Sequence, residues 1–421
     1  MTERTRVVVR AIRIPPARRT VAGPVLADPE AGYEDVYGSS DGAGASPLGV
    51  RAAYVAHLTP EQVREFKGAT NCLTVEPDVE LTADLVSVEP LGDVAATAGI
   101  PEPAVLAWMD ADVAGLTGTG VRVAVFDGGI SPAVRARMGN RVVASRNFSG
   151  VDPGTDGITT DHGCMVAPVC VPPGAEVLDA IISNDAGSSR TSAFAAAVHW
   201  AVQNGAKIVN YSYSGDGAST SVARDAVEHA QANGVLVFAS AGNDGQYRLG
   251  SPSDLCRQLW AMHSSIAFNH TTGLRAKFSN YYDDGSGCAP GQAVLSLNKD
   301  GVPTRVSGTS FSSPLMAFAA ALLLSASPVP TVAQVSAALK TTAKDTASPA
   351  REEGRGRWSV RLAHASLSGV QPPVKPLPVT PLPEPWWKTR LRSRVARAAR
   401  QPALLPLLTA LSPLLRRVLG R

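Results

Sequence analysis

Four polar residues lie at the ends of apolar runs and are of types that together could carry out acyl transfer. Asp127 closes the run VAVFD before two glycines, and His162 stands in TTDHGCMVAP. Asn243 follows VLVFASAG, and Ser310 stands near the start of GTSFSSPLMAFAAALLL. Acyl transfer by serine needs a nucleophilic hydroxyl, a base for its proton, an acid that orients the base, and a donor for the oxyanion. The four residues match these four tasks.

Taken singly, each residue has a simpler structural explanation. Ser310 fits the cap of a buried helix, and Asp127 fits an Asp-Gly turn. His162 fits a partly exposed surface position, and Asn243 fits a turn. Only the combination of the four favours a chemical role over these local ones.

The middle of the chain alternates apolar strands with amphipathic helices. VRVAVFD, VLDAII, KIVNYSYS and VLVFASAG are runs typical of buried parallel strands. TSAFAAAVHWAVQNG and TSVARDAVEHAQANG, which lie between them, are predicted helices that each end in Asn-Gly. This alternation predicts an α/β fold with a mostly parallel central sheet and helices on both faces. Functional side chains in such folds cluster at the carboxyl ends of the strands.

The four segments resemble the motifs of the subtilisin-like serine peptidases, the subtilases. VAVFDGGI is similar to that family's Asp motif, DHG to its His motif, ASAGNDG to its oxyanion-hole motif, and GTSFSSP to its Ser motif. Their order, Asp, His, Asn, Ser, differs from the order in other triad folds. The resemblance covers about residues 100–368. It implies a serine endopeptidase that acts on peptide or protein substrates; no cofactor is expected, and calcium is possible without a clear site.

The resemblance also implies a role for each site residue. Ser310 would attack the substrate carbonyl, His162 would take and return the proton, and Asp127 would orient His162. Asn243 and the backbone N–H of Ser310 would hold the oxyanion. One wall of the substrate cleft would be formed by Tyr213, Ser214 and Gly215, and part of the opposite wall by Ala241 and Gly242. An extended substrate would add to this cleft as a strand, and small residues on both walls predict room for a large apolar side chain before the scissile bond.

Two departures from the family's pattern lie close to His162. Cys164 and Met165 follow where the family usually has Thr and His, and Pro168 is expected to kink the helix. Cys164 fits either a site of sensitivity to thiol reagents or a small core residue. These departures leave open an alternative function, a catalytically impaired subtilase scaffold that binds peptides or a partner. In the Ser motif, Pro314 is predicted to lie in the first helical turn, where no backbone donor is needed.

No metal site is predicted. The chain runs from the His motif into VPPGAEVLDAII, so the family's calcium-binding loop is expected to be missing. Asp283 and Asp284 fit a weak calcium site or, more simply, a solvated turn.

Residues 1–95 are predicted to form a small α+β region before the peptidase domain of residues 96–368. RAAYVAHLTPEQVREFKGATNCLTVEPDVEL is predicted to be strand, helix and strand, with the helix starting at Thr59-Pro60-Glu61. The region loosely resembles the inhibitory prodomain of subtilases. This implies that the N-terminal region blocks the cleft until autoproteolysis, with the cut between about residues 80 and 100.

The C-terminal part is predicted to contain a Pro-rich linker, residues 369–385, and a basic tail, residues 386–421. The tail carries nine Lys and Arg residues and no acid. With Trp386 and Trp387 it resembles an interfacial membrane anchor, and its composition fits a disordered tail equally well. A membrane-tethered interaction protein is therefore a further alternative.

Charge and cysteine usage limit the partners and the location. The net charge of +3 is too small to predict nucleic acid as a partner of the whole chain. Five scattered cysteines without a CxxC pair argue against a zinc site and a disulfide-stapled fold. The first residues show no apolar stretch of signal-peptide length. These observations predict a monomer that is cytoplasmic or peripherally membrane-associated, with other export routes left open.

Overall fold

The computed structural model describes residues 5–12, 34–35, 51–68, 72–90, 100–283 and 287–370. The predictions for the linker beyond residue 370 and for the basic tail, residues 386–421, lie outside these residues. So does the predicted role of Asp284.

The elements of the described ranges follow in chain order. The strands are β1 (Thr5–Ile12), β2 (Glu34–Asp35), β3 (Arg51–Leu58), β4 (Cys72–Pro77), β5 (Glu80–Ala83), β6 (Ser87–Pro90), β7 (Arg122–Asp127), β8 (Val142–Asn147), β9 (Glu176–Ile181), β10 (Ser188–Arg190), β11 (Ile208–Tyr211), β12 (Tyr213–Ser214), β13 (Leu236–Ser240), β14 (Met262–Phe268), β15 (Gly287–Pro290), β16 (Val294–Leu297) and β17 (Pro303–Ser307). The α-helices are α1 (Pro60–Gly68), α2 (Pro103–Trp108), α3 (Pro132–Arg137), α4 (His162–Cys170), α5 (Thr191–Gln203), α6 (Ser221–Ala232), α7 (Thr309–Leu324), α8 (Val332–Thr341) and α9 (Val360–Leu367). Two short 3₁₀ helices span Ser253–Arg257 and Ala350–Glu352.

The N-terminal elements form a four-stranded antiparallel sheet in the order β2-β3-β1-β4, with α1 packed on it. Helix α1 starts where Thr59 and Gln62 exchange hydrogen bonds: the Gln62 N–H donates to Thr59 Oγ1 at 3.3 Å, and the Thr59 N–H donates to Gln62 Oε1 at 2.9 Å. This reciprocal pair is a capping box. The strand, helix and strand predicted for β3, α1 and β4 are confirmed.

The central sheet has seven strands in the order β15-β14-β13-β11-β7-β9-β8, and every neighbouring pair is parallel. The predicted apolar runs supply β7, β9, β11 and β13, so the predicted parallel sheet is confirmed. The run KIVNYSYS is divided at Ser212. Its second part, β12, leaves the central sheet and pairs with β5.

Helices cover both faces of the sheet because side chains on a strand alternate between faces. Val123 and Val125 of β7 join the core that holds α4 and α7, whereas Ala124 and Phe126 join the core that holds α5 and α6. Helices α5 and α6 both end as predicted, at Asn-Gly with the glycine in the left-handed region, φ +74° and +66°. None of the helices in the described ranges combines the length and apolar character needed to cross a bilayer.

Helix α7 is buried along all 16 of its residues. Ala, Leu, Met and Phe fill most of it, so it packs on the sheet and on neighbouring helices on every side. A helix held in this way keeps its first turn in a fixed position. That turn carries Ser310.

Candidate active site

An acid and an imidazole meet at the carboxyl edge of the central sheet. Asp127 is the last residue of β7 and His162 is the first residue of α4. His162 Nδ1 lies 2.9 Å from both carboxylate oxygens of Asp127, and the two side chains are buried. The Gly128 N–H donates to Asp127 Oδ1 at 2.8 Å, which fixes the carboxylate. His162 Nε2 is buried with no hydrogen-bond partner among the described residues, and this is the nitrogen that a general base must keep available.

Tyr213 supports this pair in a way that the sequence did not predict. Its backbone belongs to β12, which pairs with β5. Its side chain is fully buried, and its hydroxyl donates to Asp127 Oδ1 at 3.4 Å. Burial raises the pKa of Tyr213 well above its ordinary value, so the phenol stays protonated and remains a donor. Its ring also lies edge-on to His162, with centroids 5.9 Å apart.

Ser310 is the second residue of α7, and its backbone and side chain are both held by Ser212. Ser310 Oγ donates to the carbonyl oxygen of Ser212 at 3.1 Å, and Ser212 Oγ donates to the carbonyl oxygen of Ser310 at 3.0 Å. The second bond exists because Pro314, four residues on, has no N–H to offer that carbonyl. The prediction that Pro314 lies in the first turn is wrong: α7 starts at Thr309, so Pro314 lies in the second turn.

Asn243 is oriented by Thr309, a residue that sequence analysis did not single out. Asn243 Oδ1 accepts from the backbone N–H and from the hydroxyl of Thr309, both at 3.0 Å. Because both Thr309 groups are donors, these two bonds fix the orientation of the Asn243 side-chain amide, with its oxygen towards Thr309. Asn243 Nδ2 is buried with no partner among the described residues, so the donor remains available. Thr309 is part of the motif GTSFSSP, which was the only signal for it.

The candidate cleft is occupied by an extended segment of the chain, which begins at β5. Strand β5 pairs antiparallel with β12, with Ala83 opposite Tyr213, and on its other side with β10. The Asp84 N–H donates to the carbonyl of Ser212 at 3.3 Å, and the Ser310 N–H donates to the carbonyl of Asp84 at 3.2 Å. A peptide carbonyl therefore points at the first turn of the helix that carries Ser310.

The same segment continues past the serine into β6. The Val86 N–H donates to the carbonyl of Ser307 at 2.8 Å, and β6 pairs antiparallel with β17. Gly308 makes this approach feasible, since a Cβ there would stand 2.2 Å from the carbonyl oxygen of Asp84 and 3.2 Å from Leu85 Cα. Only glycine fits so close to another backbone.

The remaining residues of the predicted cleft walls lie near this segment. A Cβ on Gly215 would lie 3.2 Å from the Leu81 side chain, and a Cβ on Gly242 would lie 3.3 Å from Ser214 Oγ. Gly242 and Ser214 are thus close together. The Ala241 side chain instead belongs to the core.

Cys164 is a core residue rather than a reactive thiol. Its side chain is inaccessible, and its sulfur accepts a hydrogen bond from the Ser131 N–H at 3.3 Å. Burial raises the pKa of the thiol to about 11, so little thiolate forms at neutral pH. Helix α4 runs through Pro168 and ends at Cys170. The structure therefore favours the core alternative for Cys164.

Of the two residues at the suggested calcium position, Asp283 is described and already has two partners. Asp283 Oδ1 accepts from the Tyr247 hydroxyl at 2.6 Å and lies 3.7 Å from a nitrogen of Arg257. A cation beside this carboxylate opposes metal binding. In the described part of the chain, no three His, Cys, Asp or Glu side chains are grouped to hold a metal ion.

Comparison with known proteins identifies the family of this chain. The family model described as the subtilase family matches residues 118–356, which are 239 of the 421 residues. The chain belongs to the subtilase family. The match lies inside the predicted peptidase domain, residues 96–368, and the resemblance inferred from the four motifs is confirmed.

Individual subtilases are similar to this chain at about the same level. Subtilisin DY of Bacillus licheniformis is 32% identical over 245 residues, which cover 54% of this chain and 85% of that protein. The alkaline elastase YaB of Bacillus sp. (strain YaB) is 32% identical over 242 residues, 54% of this chain and 61% of that protein. The alkaline protease of Shouchella clausii is 30% identical over 292 residues, 68% of this chain and 72% of that protein. The chain is thus a subtilisin-like serine peptidase by family.

Proposed function

We propose that this subtilase is a serine endopeptidase made as a zymogen, with Ser310 as nucleophile, His162 as base and Asp127 as the acid that orients His162. Asn243 Nδ2 and the Ser310 N–H form the oxyanion hole. The observation that carries the proposal is the hydrogen bond from the Ser310 N–H to a carbonyl of an extended peptide, 3.2 Å long. The alternative of an impaired scaffold is not favoured, since every chemical group needed is present.

The reaction uses one water molecule and no cofactor. Ser310 Oγ turns from the Ser212 carbonyl towards His162 Nε2, gives up its proton there, and adds to the substrate carbonyl carbon. The tetrahedral oxyanion is held by Asn243 and the Ser310 N–H. The C–N bond then breaks as His162 returns the proton to the leaving amine, which leaves an ester on Ser310. Water, deprotonated by His162, hydrolyses this ester and restores the serine.

The N-terminal region acts as an intramolecular inhibitor in this proposal. Residues 80–90 occupy the cleft on both sides of the serine. Two acids of the same region contact the peptidase domain: Glu76 Oε2 accepts from the Ser221 N–H at 2.8 Å, and Asp78 Oδ1 accepts from the Ser192 N–H at 3.0 Å. A segment held at several points excludes other substrates.

Covalent labelling by a fluorophosphonate tests the nucleophile. The wild-type chain should be labelled once residues 80–90 have been cut and displaced, whereas Ser310→Ala should be neither labelled nor processed. Ser312→Ala is the matched control, because Ser312 lies in the same helix but its hydroxyl donates to backbone carbonyls of Ser265 and Thr309. Labelling that persists in folded Ser310→Ala, or is lost in folded Ser312→Ala, would refute the assignment.

A further inference from the structure

The Asp84 side chain occupies a pocket beside Ser310 that is built from hydroxyl donors. Asp84 Oδ1 accepts from Ser214 Oγ at 2.9 Å, and Asp84 Oδ2 accepts from Ser240 Oγ. Ser240 is inaccessible and Asp84 is 6% exposed, so the bond between them is buried, and the bond to Ser214 is partly buried. Gly242 closes the pocket beside Ser214. Sequence analysis expected a large apolar side chain at this place, and the structure has a carboxyl there.

The position of Asp84 along the cleft is fixed by its backbone. Its N–H is bonded to Ser212 and its carbonyl to Ser310, while the next peptide continues to Leu85 close to Gly308. The carbonyl that faces the nucleophile is therefore that of Asp84. The peptide bond in line with it joins Asp84 to Leu85.

The two hydroxyls make the pocket selective for a side chain that accepts hydrogen bonds. An apolar side chain would leave the buried hydroxyl of Ser240 without its acceptor, and a site built to hydrogen-bond a substrate group rejects analogues that lack it. Such a loss weakens transition-state binding by about tenfold or more for each unpaired buried group.

From these contacts we infer that the pocket selects aspartate as the residue before the scissile bond, and that Asp84–Leu85 is the first bond this enzyme cuts. The inference rests on the proposed function and names its substrate class: peptides with aspartate before the scissile bond. Cleavage consumes one water, leaves a carboxylate on the main chain of Asp84, and frees the amine of Leu85.

Burial also makes the pocket sensitive to the charge of its occupant. It raises the pKa of Asp84 from 3.8 to about 6; the Ser240 and Ser214 hydroxyls and nearby His162 act in the opposite direction, and Asp244 adds to the rise. Because the bound pKa is above the free value, the neutral acid is preferred. Binding of aspartate relative to asparagine is then strongest below about pH 4 and falls, by up to about a hundredfold, as the pH rises to about 6.

The first experiment locates the cut in the full-length chain. Mass spectrometry of the wild type should find a new N-terminus at Leu85 and a fragment that ends at Asp84, both absent from Ser310→Ala. At about pH 5, Asp84→Leu should slow this cut about tenfold or more, and Asp84→Asn should slow it less, because the amide keeps one acceptor. The control Glu65→Leu removes an exposed acid from α1, outside the segment in the cleft, and should leave the rate within about twofold.

The second experiment measures the pocket in trans with the processed enzyme. Peptides with the sequence of residues 80–88 and Asp, Asn, Glu or Leu at position 84 are compared by kcat/KM at one pH, so that any effect of pH common to all peptides cancels. At pH 5, kcat/KM for the Asp peptide should exceed that for the Leu peptide about tenfold or more. The substitution Ser214→Ala should reduce this ratio. The Asp to Asn ratio should fall between about pH 4 and 6 and then level off.

The outcomes separate this inference from the proposed function. If the enzyme labels with the fluorophosphonate but cuts at another bond, or hydrolyses the leucine peptide as fast as the aspartate peptide, the inference is overturned and the peptidase assignment stands. If the ratio of kcat/KM for the Asp peptide to that for the Asn peptide does not change with pH, the claim that the substrate carboxyl is buried in this pocket is also overturned. If the wild-type chain is neither labelled nor processed, both the peptidase assignment and this inference are refuted.

Discussion

At the scale of single residues, the pairing of His162 with Asp127 depends on a glycine that carries no functional group. Gly163 follows His162 in α4 and packs against the turn after β7. A Cβ at this position would stand 2.4 Å from the carbonyl oxygen of Gly129 and 3.1 Å from Asp127 Cβ. These are a backbone atom and the first atom of a buried side chain, so neither can move aside cheaply.

The substitution Gly163→Ala should therefore displace His162 from Asp127 and lower kcat by about 10²-fold, since shifts of about 1 Å at a catalytic group have effects of this size. KM should change little, because the cleft strands are untouched. Steady-state kinetics on the processed enzyme measure both. Alanine normally stabilises a helix relative to glycine. An unchanged kcat with a raised melting temperature would contradict the tight packing.

The sequence was sufficient to single out the four candidate residues but not the residues that hold them. Asp127, His162, Asn243 and Ser310 each border an apolar run, and their order along the chain was informative. Ser212 acts through its backbone carbonyl as well as its hydroxyl, and a backbone group leaves no trace in residue type. The buried hydroxyl of Tyr213 was likewise unpredictable, because it contacts Asp127 only after β7 and β12 come together in the fold.

At the scale of elements, a proline in α7 links the helix to the cleft. The carbonyl of Ser310 cannot bond within the helix because Pro314 lacks an N–H, and it accepts instead from Ser212 Oγ at 3.0 Å. This bond joins Ser212, between β11 and β12, to the first turn of α7, which carries Ser310. Loss of the hydroxyl would leave a buried carbonyl unpaired.

A double-mutant cycle tests this link. In a Ser310→Ala background, which prevents self-cleavage, Ser212→Ala should lower the free energy of unfolding by about 1–3 kcal/mol, the cost of an unsatisfied buried group. With Pro314→Ala also present, the cost should be smaller, because the new N–H of residue 314 can donate to the carbonyl of residue 310. Urea unfolding gives both values. Equal costs in the two backgrounds would show that the proline and Ser212 act independently.

The strands and helices were largely predictable, and the exceptions have physical causes. Periodicity and Asn-Gly endings defined β7, β9, β13, α5 and α6. The run KIVNYSYS was predicted as one strand, but Ser212 separates β11 from β12 because the second part pairs with β5, a segment more than 100 residues earlier. The start of α7 was placed too late because Gly308, Thr309 and Ser310 are all acceptable near a helix start.

At the scale of the whole molecule, the N-terminal region meets two helices end-on. Glu76 and Asp78 accept hydrogen bonds from the free N–H groups at the starts of α6 and α5. Asp78 Oδ2 also accepts from Ser192 Oγ at 2.8 Å. A carboxylate at a helix N-terminus is stabilised both by the hydrogen bond and by the helix dipole.

Removing these charges should loosen the N-terminal region after cleavage. Glu76→Gln should speed release of the cut fragment about tenfold, and Glu76→Gln with Asp78→Asn should speed it further, since each charge-assisted bond contributes about 1–2 kcal/mol. Release is followed as the delay before peptide hydrolysis appears and as loss of the fragment on gel filtration. Glu65→Gln, an exposed acid on α1, is the control and should not alter the delay. Identical delays for all variants would show that the two acids do not hold the region in place.

Because the Asp84–Leu85 bond already lies across the serine of its own chain, the first hydrolysis is expected to be unimolecular. Its half-time then does not depend on dilution, and one copy has no need to encounter another. After that event the fragment still occupies the cleft of the molecule that produced it. The onset of activity towards other proteins is therefore expected to follow the slow departure of this first product rather than the chemistry that released it.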